Sequence, residues 1–487
     1  MPVRTVYDPI ARLAAEQPNR LAVILPKRRV SFGALDAMVR RAAGDMRRAG
    51  LRVGGRVGIA TERPLLHLVT ALALARLQVS HIALPLTDPP LLRARTCSDL
   101  ALAAVIGEAE IAAGVAAIRP DVSWLDGRPA TNDLPEAAPQ DLPFLVLKSS
   151  GTTGDPKFAD LTHADALVRQ DRFCRAFGLR GDDIFWPLST LDYLAAKLRA
   201  LYCLQAGAAV CLPTGLSTMP QVLAFACAAG ASFATATPAH MEVLLQLQPT
   251  PSQIPPLRIF EVLSATVSEQ LRHRFRDAIS DTVHVSYATN EAGTITLATP
   301  EQQRQVPDTV GRVLPGVTLE IVDRGDHPLA PGEVGLVRLR AAGIARSYIG
   351  NAAASEDSFR DGWFYPGDLA ACLPDGSLIL HGRADDMMIC DGVNIYPSEI
   401  ERVLLAHDAV HEAAAFPVAS RIHQQLPCAA VRLARPVAIA ELAAHCDERL
   451  GFKAPRLIQV LDDYPRNAAG KVLKRELSRL AAAQLSG

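Results

Sequence analysis

The sequence lacks an excess of charge of either sign, a paired set of cysteines and a long apolar run, and each absence removes a class of protein. Among 487 residues, 50 Lys and Arg meet 51 Asp and Glu. No global field therefore draws the chain to nucleic acid, an anionic membrane or a polyanionic substrate. The nine cysteines form no CxxC pair and no Cys/His ligand spacing, so they read as reduced, mostly buried thiols in a reducing cytoplasm. At the N-terminus Asp8, Pro9 and Glu16 break any apolar run long enough for a signal peptide. No stretch of about 18 uninterrupted apolar residues follows. Val222 to Ala239 comes closest, but Ser232, Thr235, Thr237 and Pro238 interrupt it, and its Ala and Gly content suits a packed core. Internal repeats and low-complexity tracts are missing too, which leaves the expectation of a soluble cytoplasmic chain with no membrane span.

What is present is an alternation of periods. The length calls for more than one domain. After Ser31, apolar residues at Leu35, Met38, Val39, Ala42, Ala43 and Met46 follow one face of a helix that Gly50 stops. A strand pattern at Val57 to Ala60, a helical stretch at Leu65 to Leu77 and an apolar run at Ile82 to Leu86 follow. Further strands are expected at Phe144 to Leu147, Arg258 to Leu263, Val283 to Tyr287, Leu319 to Val322, Leu336 to Leu339 and Leu378 to Leu380. This is the rhythm of a layered α/β fold. Past Arg383 the pattern shortens: a helix from Pro397, strands near Ala413 to Val418 and Cys428 to Leu433, and a helix from Ala438 to Leu450. We expect a large, multi-lobed N-terminal domain over residues 1–384 and a small, mobile α+β domain over 385–487. Arg128 to Leu142 reads as a surface loop.

The most informative stretch is FLVLKSSGTTGDPK, in which a buried strand runs into Ser149, Ser150, Gly151, Thr152, Thr153, Gly154, Asp155, Pro156 and Lys157. Glycines let backbone N–H groups converge on an anion, hydroxyls donate further hydrogen bonds, and the lysine supplies charge. The loop has the composition of a phosphate site. It is not a Walker A loop, because GxxxxGK[ST] is absent.

The loop resembles the TSGTTGxPKG signature of the superfamily that joins acyl- and aryl-CoA synthetases, peptide-synthetase adenylation domains and luciferases. The resemblance continues in order through SYATNEAG (Ser286 to Gly293), GRVLPG (Gly311 to Gly316), PGEVGLV (Pro331 to Val337) and GWFYPGDL (Gly362 to Leu369). It ends with GRADDMMICDGVNIYPSEIE (Gly382 to Glu401) and PRNAAGKVLKREL (Pro465 to Leu477). The match implies an ATP-dependent ligase that makes an acyl-AMP and passes the acyl group to a thiol, of coenzyme A or of a carrier-protein phosphopantetheine. Ser149 to Gly154 and Lys157 would hold phosphates, with Thr152 taking part in catalysis. Glu291 would help hold Mg²⁺, since hard cations prefer oxygen ligands. The nucleotide would also meet Ser264, Ala265, Tyr287, Ala288, Thr289 and Asn290, with Asp368 and Arg383 on the ribose. Asp385 matches the hinge and Gly392 a glycine near the pantetheine path. Lys471 matches the lysine that bridges the attacking carboxylate and the α-phosphate, where charge builds in the transition state.

The match also departs from the family. Phe158 stands in place of the usual glycine after Lys157, Asn290 in place of a threonine, Ala288 in place of a common glycine, and LSATVS (Leu263 to Ser268) is a degenerate Gly-rich segment. The acyl pocket is expected to use Asp192, Tyr193 and His240. Asp192 would take an amino or hydroxyl group or serve as a cap, and His240 would cap or touch substrate. The substrate reading is a small aromatic, hydroxybenzoate-like acid. The alternatives are a carrier-protein ligase for an aliphatic or amino acid, and a nucleotide-binding pseudoenzyme. The chain ends soon after Lys471, from which we expect it to act without a fused carrier domain.

Overall fold

The computed structural model describes residues 5–108, 114–127, 141–150, 156–263, 267–391, 393–420, 422–466 and 472–485. The fold is mixed α/β, with a large N-terminal domain and a smaller C-terminal one. Side-chain periodicity builds its helices as expected. In Phe32–Arg48 the Ser31 hydroxyl caps the first turn by accepting from Ala34 N at 3.2 Å, and the whole predicted apolar stripe is buried. Pro64–Leu77 is buried on all sides from Leu65 to Ala75, which suits a helix packed between layers.

Two sheets organise the large domain. In the larger one, Ile184–Pro187, Ala209–Cys211, Phe233–Ala236, Ile259–Val262 and Val283–Thr289 form a parallel core of short apolar strands. Antiparallel strands Gly293–Ala298, Thr309–Val313, Ser377–Arg383 and Asp368–Cys372 extend it. The second sheet orders Ala116–Ile118, Ala104–Gly107, Arg56–Ala60, Ser80–Ala83, Pro143–Ser150 and Pro156–Thr162. Parallel strands covered on both faces read as apolar runs, and these do. In the smaller domain, Val410–Ser420 and Gln424–Leu433 pair over their full length, with Leu457–Val460 alongside. This domain has its own core around Met388, Ile395, Ile400, Leu404, Val431 and Leu442. It touches the large one where Ser398 Oγ donates to His381 O at 3.0 Å and Arg402 lies 3.5 Å from Asp308.

Several expectations shift. The run Ile82 to Leu86 is a strand only over Ser80–Ala83; Leu84 N still donates to Ile59 O, but Pro85 has no N–H and ends the ladder. Phe144 to Leu147 lengthens to Pro143–Ser150 because Pro156–Thr162 folds back on it as a hairpin. Val222 to Ala239 divides into helix Met219–Ala229 and strand Phe233–Ala236, separated by Gly230 in the left-handed conformation at φ +73°. Among the described residues no helix is long and apolar enough to cross a membrane. All nine cysteines are free, and six are buried. Of the expected loop Arg128 to Leu142, residues 128–140 lie outside the described residues.

Candidate active site

The hairpin of Pro143–Ser150 and Pro156–Thr162 sets Ser149 opposite Lys157 and Ser150 opposite Pro156. The intervening Gly151, Thr152, Thr153, Gly154 and Asp155 lie outside the described residues. Lys157 Nζ sits 5.0 Å from the ring centroid of Tyr348, within cation–π range. Its neighbour Phe158 turns to the other face and is buried among Ala60, Ile82, Leu84 and Val146. The departure from glycine therefore fills a core, leaving Lys157 on the site side. The strand is anchored further by Lys148 Nζ, 3.3 Å from Asp88.

The turn between Val283–Thr289 and Gly293–Ala298 carries Glu291. Thr289 Oγ1 accepts from Ala292 N at 3.0 Å and closes the turn. Asn290 Nδ2 donates to Lys148 O at 2.7 Å, so the residue in place of the family threonine ties this turn to the strand that leads into the expected phosphate loop. Glu291 is 6% exposed, and its Oε1 accepts from Tyr348 Oη at 2.9 Å. Burial, followed by the nearby Glu291 charge, raises the Tyr348 pKa and keeps the phenol a donor. Behind the turn, Arg169 is fully buried. Its Nε donates to Gly343 O at 2.6 Å, Nη1 to Asn290 O at 3.0 Å, and Nη2 to Glu291 O. Burial lowers its pKa to about 10, so it stays charged at neutral pH while clamping three carbonyls.

These residues fit a magnesium ion of the kind nucleotide enzymes use. Glu291 Oε2 makes no hydrogen bond among the described residues, and no cage of three or more His, Cys, Asp or Glu is found among them. Mg²⁺ is commonly held by one or two carboxylates plus substrate phosphates and water.

Tyr287 Oη donates to Asp368 Oδ2 at 2.5 Å. Asp368 and Arg383 face each other across paired strands, with Nη1 of the arginine 3.4 Å from Asp368 and its Nε 3.2 Å from Asp385. Arg383 thus joins the expected ribose aspartate to the expected hinge aspartate. Ala288 lies where the pairing with Gly293–Ala298 shifts register. Ser264 and Ala265 lie outside the described residues.

Of the expected acyl-pocket residues, His240 caps a helix. Its Nδ1 lies 3.1 Å from Thr237 N and 2.9 Å from Thr237 Oγ1, at the start of Pro238–Gln246. Asp192 accepts from Thr190 at 3.3 Å and lies 3.4 Å from His67 Nδ1. Burial raises its pKa. Tyr193 immediately precedes helix Leu194–Gln205. On that helix the buried Lys197 has its pKa lowered by burial to about 8.

The sequence reading missed Tyr348, Arg169 and a buried network under the site. In that network Arg199 meets Glu261 at 2.9 and 3.1 Å, while Thr235 and Ser286 donate to the same carboxylate at 3.0 and 2.8 Å. Glu261 had a signal, since a carboxylate amid the apolar residues of Ile259–Val262 demands a partner. Arg169 and Tyr348 had none, because a lone arginine on a helix or a lone tyrosine in a loop is ordinary. In the small domain, Gly392 and Lys471 lie outside the described residues. A bridge between Arg466 and Val472 brackets the segment that holds Lys471.

Known proteins resemble this chain in sequence and in fold. A 2-succinylbenzoate–CoA ligase of Geobacillus kaustophilus is 37% identical over 202 residues, 41% of each chain. An oxalate–CoA ligase of Arabidopsis thaliana is 29% identical over 346 residues, 68% of this chain and 66% of that one. The chain thus spans about two fifths of the first relative and about two thirds of the second. The structure of o-succinylbenzoate CoA synthetase from Bacillus subtilis, solved with its acyl-adenylate intermediate, superposes with a TM-score of 0.87 at 24% identity, covering 97% of this chain and 98% of that one. The family model of the AMP-binding enzyme C-terminal domain matches residues 399–471. The model of the AMP-binding enzyme matches residues 10–349, and the chain belongs to that family.

Proposed function

We propose that this protein is an ATP-dependent acid–thiol ligase that forms an acyl-AMP and then a thioester on coenzyme A. The observation that carries the reading is the buried Glu291, held by Tyr348 and joined through Asn290 to the strand that leads into the phosphate loop. That arrangement ties a carboxylate to the strand that enters the glycine- and hydroxyl-rich segment. The names of relatives as CoA ligases support coenzyme A as the thiol.

In the first half, a carboxylate oxygen of the substrate attacks the α-phosphorus of ATP in line. The new P–O bond forms as the bond to pyrophosphate breaks. The Ser149–Gly154 loop and Lys157 take the charge of the departing pyrophosphate, and Lys471 stabilises the oxygens between substrate and α-phosphate. Asp368 accepts hydrogen bonds from the ribose, with Arg383 fixing its orientation. A magnesium ion, held by Glu291 and the phosphates, would supply Lewis-acid charge. In the second half, the domain that starts at about Asp385 rotates, withdraws Lys471 and presents the loop around Gly392, and the thiol displaces AMP.

The acid is read as a small aromatic, hydroxybenzoate-like one; the aromatic acid in the name of the Geobacillus relative supports this class. Pyrophosphate release with Mg·ATP across aryl, short-chain, long-chain and amino acids tests the proposal. Release with aryl acids is expected, release with aliphatic acids alone would move the substrate class, and ATP binding with no release from any acid would favour a pseudoenzyme.

A further inference from the structure

The loop that carries Gly392 also carries Asp391, and the hairpin tip between Val410–Ser420 and Gln424–Leu433 brings His423 against it. Both Asp391 oxygens lie near His423 Nδ1, at 3.0 and 2.9 Å, and Asp391 N donates to His423 O at 3.4 Å. Asp391 adopts φ +49°, a left-handed conformation unusual for a residue with a side chain. The backbone thus strains at the position that points this carboxylate at the imidazole.

The contact has a chemical consequence. A carboxylate against Nδ1 holds the proton on that nitrogen and leaves Nε2 with its lone pair outward. His423 Nε2 has no hydrogen bond among the described residues, and the two side chains are 42% and 43% exposed. The flanking positions are exposed but apolar: Val393 is 39% and Ile422 83% exposed. The oriented base thus stands on a surface with two uncovered apolar side chains near the pair in the chain. It suits a face that closes over something in another arrangement of the two domains.

We propose that His423, oriented by Asp391, is the general base of the thioester-forming half-reaction. The inference rests on the two-half reading above. A thiol such as that of cysteine has a pKa of about 8.5 and is mostly protonated at neutral pH, while the nucleophile is the thiolate. With the small domain rotated, Nε2 takes the S–H proton as sulfur bonds to the acyl carbon. The bond from that carbon to the AMP oxygen breaks, AMP leaves as the anion, and the imidazolium returns its proton to solvent. Asp391 is the positioning residue, holding the tautomer and stabilising the charged ring.

The test separates the two halves. Benzoyl-AMP is supplied to the full chain with coenzyme A, and the single-turnover rate is followed against pH. The wild type should show an acidic limb of unit slope. In His423→Gln that limb should vanish and the neutral-pH rate should fall about 10²-fold, lowering the ratio of the thiol rate to the pyrophosphate-release rate. Asp391→Asn should show a smaller fall in the thiol rate with pyrophosphate release unchanged, a split that loss of a mere surface contact would not produce. An unchanged rate and pH profile in folded His423→Gln would overturn the assignment. Failure of the wild type to transfer the acyl group from benzoyl-AMP or any other supplied adenylate to coenzyme A would instead contradict the thioester reading, and this inference with it.

Discussion

The Tyr348 hydroxyl donates a 2.9 Å hydrogen bond to Oε1 of Glu291, while the same ring holds the Lys157 ammonium 5.0 Å from its centroid. One aromatic side chain thus orients the expected metal carboxylate and lies beneath the expected phosphate-loop cation. Tyr348→Phe keeps the ring and removes the donor. Outer partners of metal ligands are worth about 10- to 100-fold in affinity or activity. Pyrophosphate release titrated with Mg²⁺ should show a raised requirement for the ion and a rate lower by about that factor. A titration that superposes on the wild type would remove Tyr348 from the site.

Arg169 supports the same turn from behind through three carbonyls. Lysine keeps the charge but cannot fork to all three, and each unmet buried acceptor costs about 1–3 kcal/mol. Arg169→Lys should therefore lower stability by about 2 kcal/mol in urea unfolding and slow adenylation through a misplaced Glu291. A loss below about 0.5 kcal/mol would place the variant among the neutral surface changes and contradict the clamp.

His163 gives a pH dependence with a defined sign. Its Nδ1 accepts from Val6 N at 3.3 Å, and burial lowers its pKa to about 4, against about 6.5 in the unfolded chain. The unfolded state thus binds the proton more readily. Stability is fully present above about pH 6.5 and falls as pH drops toward 4, by about 3 kcal/mol from this residue. The buried His67 and His81, also shifted downward by burial, act in the same direction. His163→Asn, which retains an acceptor, should flatten the acid limb of urea stability measured from pH 7 to 4. A limb of unchanged steepness would exclude His163 as a contributor.

Lys471→Ala should slow acyl-AMP formation by about 10²- to 10³-fold but leave thioester formation from a supplied adenylate intact. Equal losses in both halves would contradict the assignment of Lys471 to the first half alone.

Contiguous features were legible in the sequence. The apolar stripe after Ser31 became the helix Phe32–Arg48, and the short pattern past Arg383 became a sheet with its own core. The family was readable because its motifs are themselves contiguous, as in Ser149 to Lys157. What escaped depends on contacts between residues far apart in sequence. Tyr348 meets Glu291 across 57 positions and Arg169 meets Gly343 across 174, so neither side chain announces its burial locally. The strand Pro156–Thr162 was hidden for another reason: its proline, lysine and aspartate break the apolar alternation, and its pairing with Pro143–Ser150 makes it a strand. His240 was read with a capping role and a substrate role both open, and its Thr237 contacts place it as a cap.

The central claim is a two-half reaction through an acyl adenylate, and a quenched single turnover tests it most directly. The enzyme is mixed with Mg·ATP and a responsive acid without thiol, quenched, and then in a parallel sample chased with coenzyme A. The account predicts enzyme-bound acyl-AMP with stoichiometric pyrophosphate before the chase, and its conversion to acyl-CoA and AMP afterward. Formation of ADP and phosphate, or of thioester with no adenylate preceding it, would contradict the account.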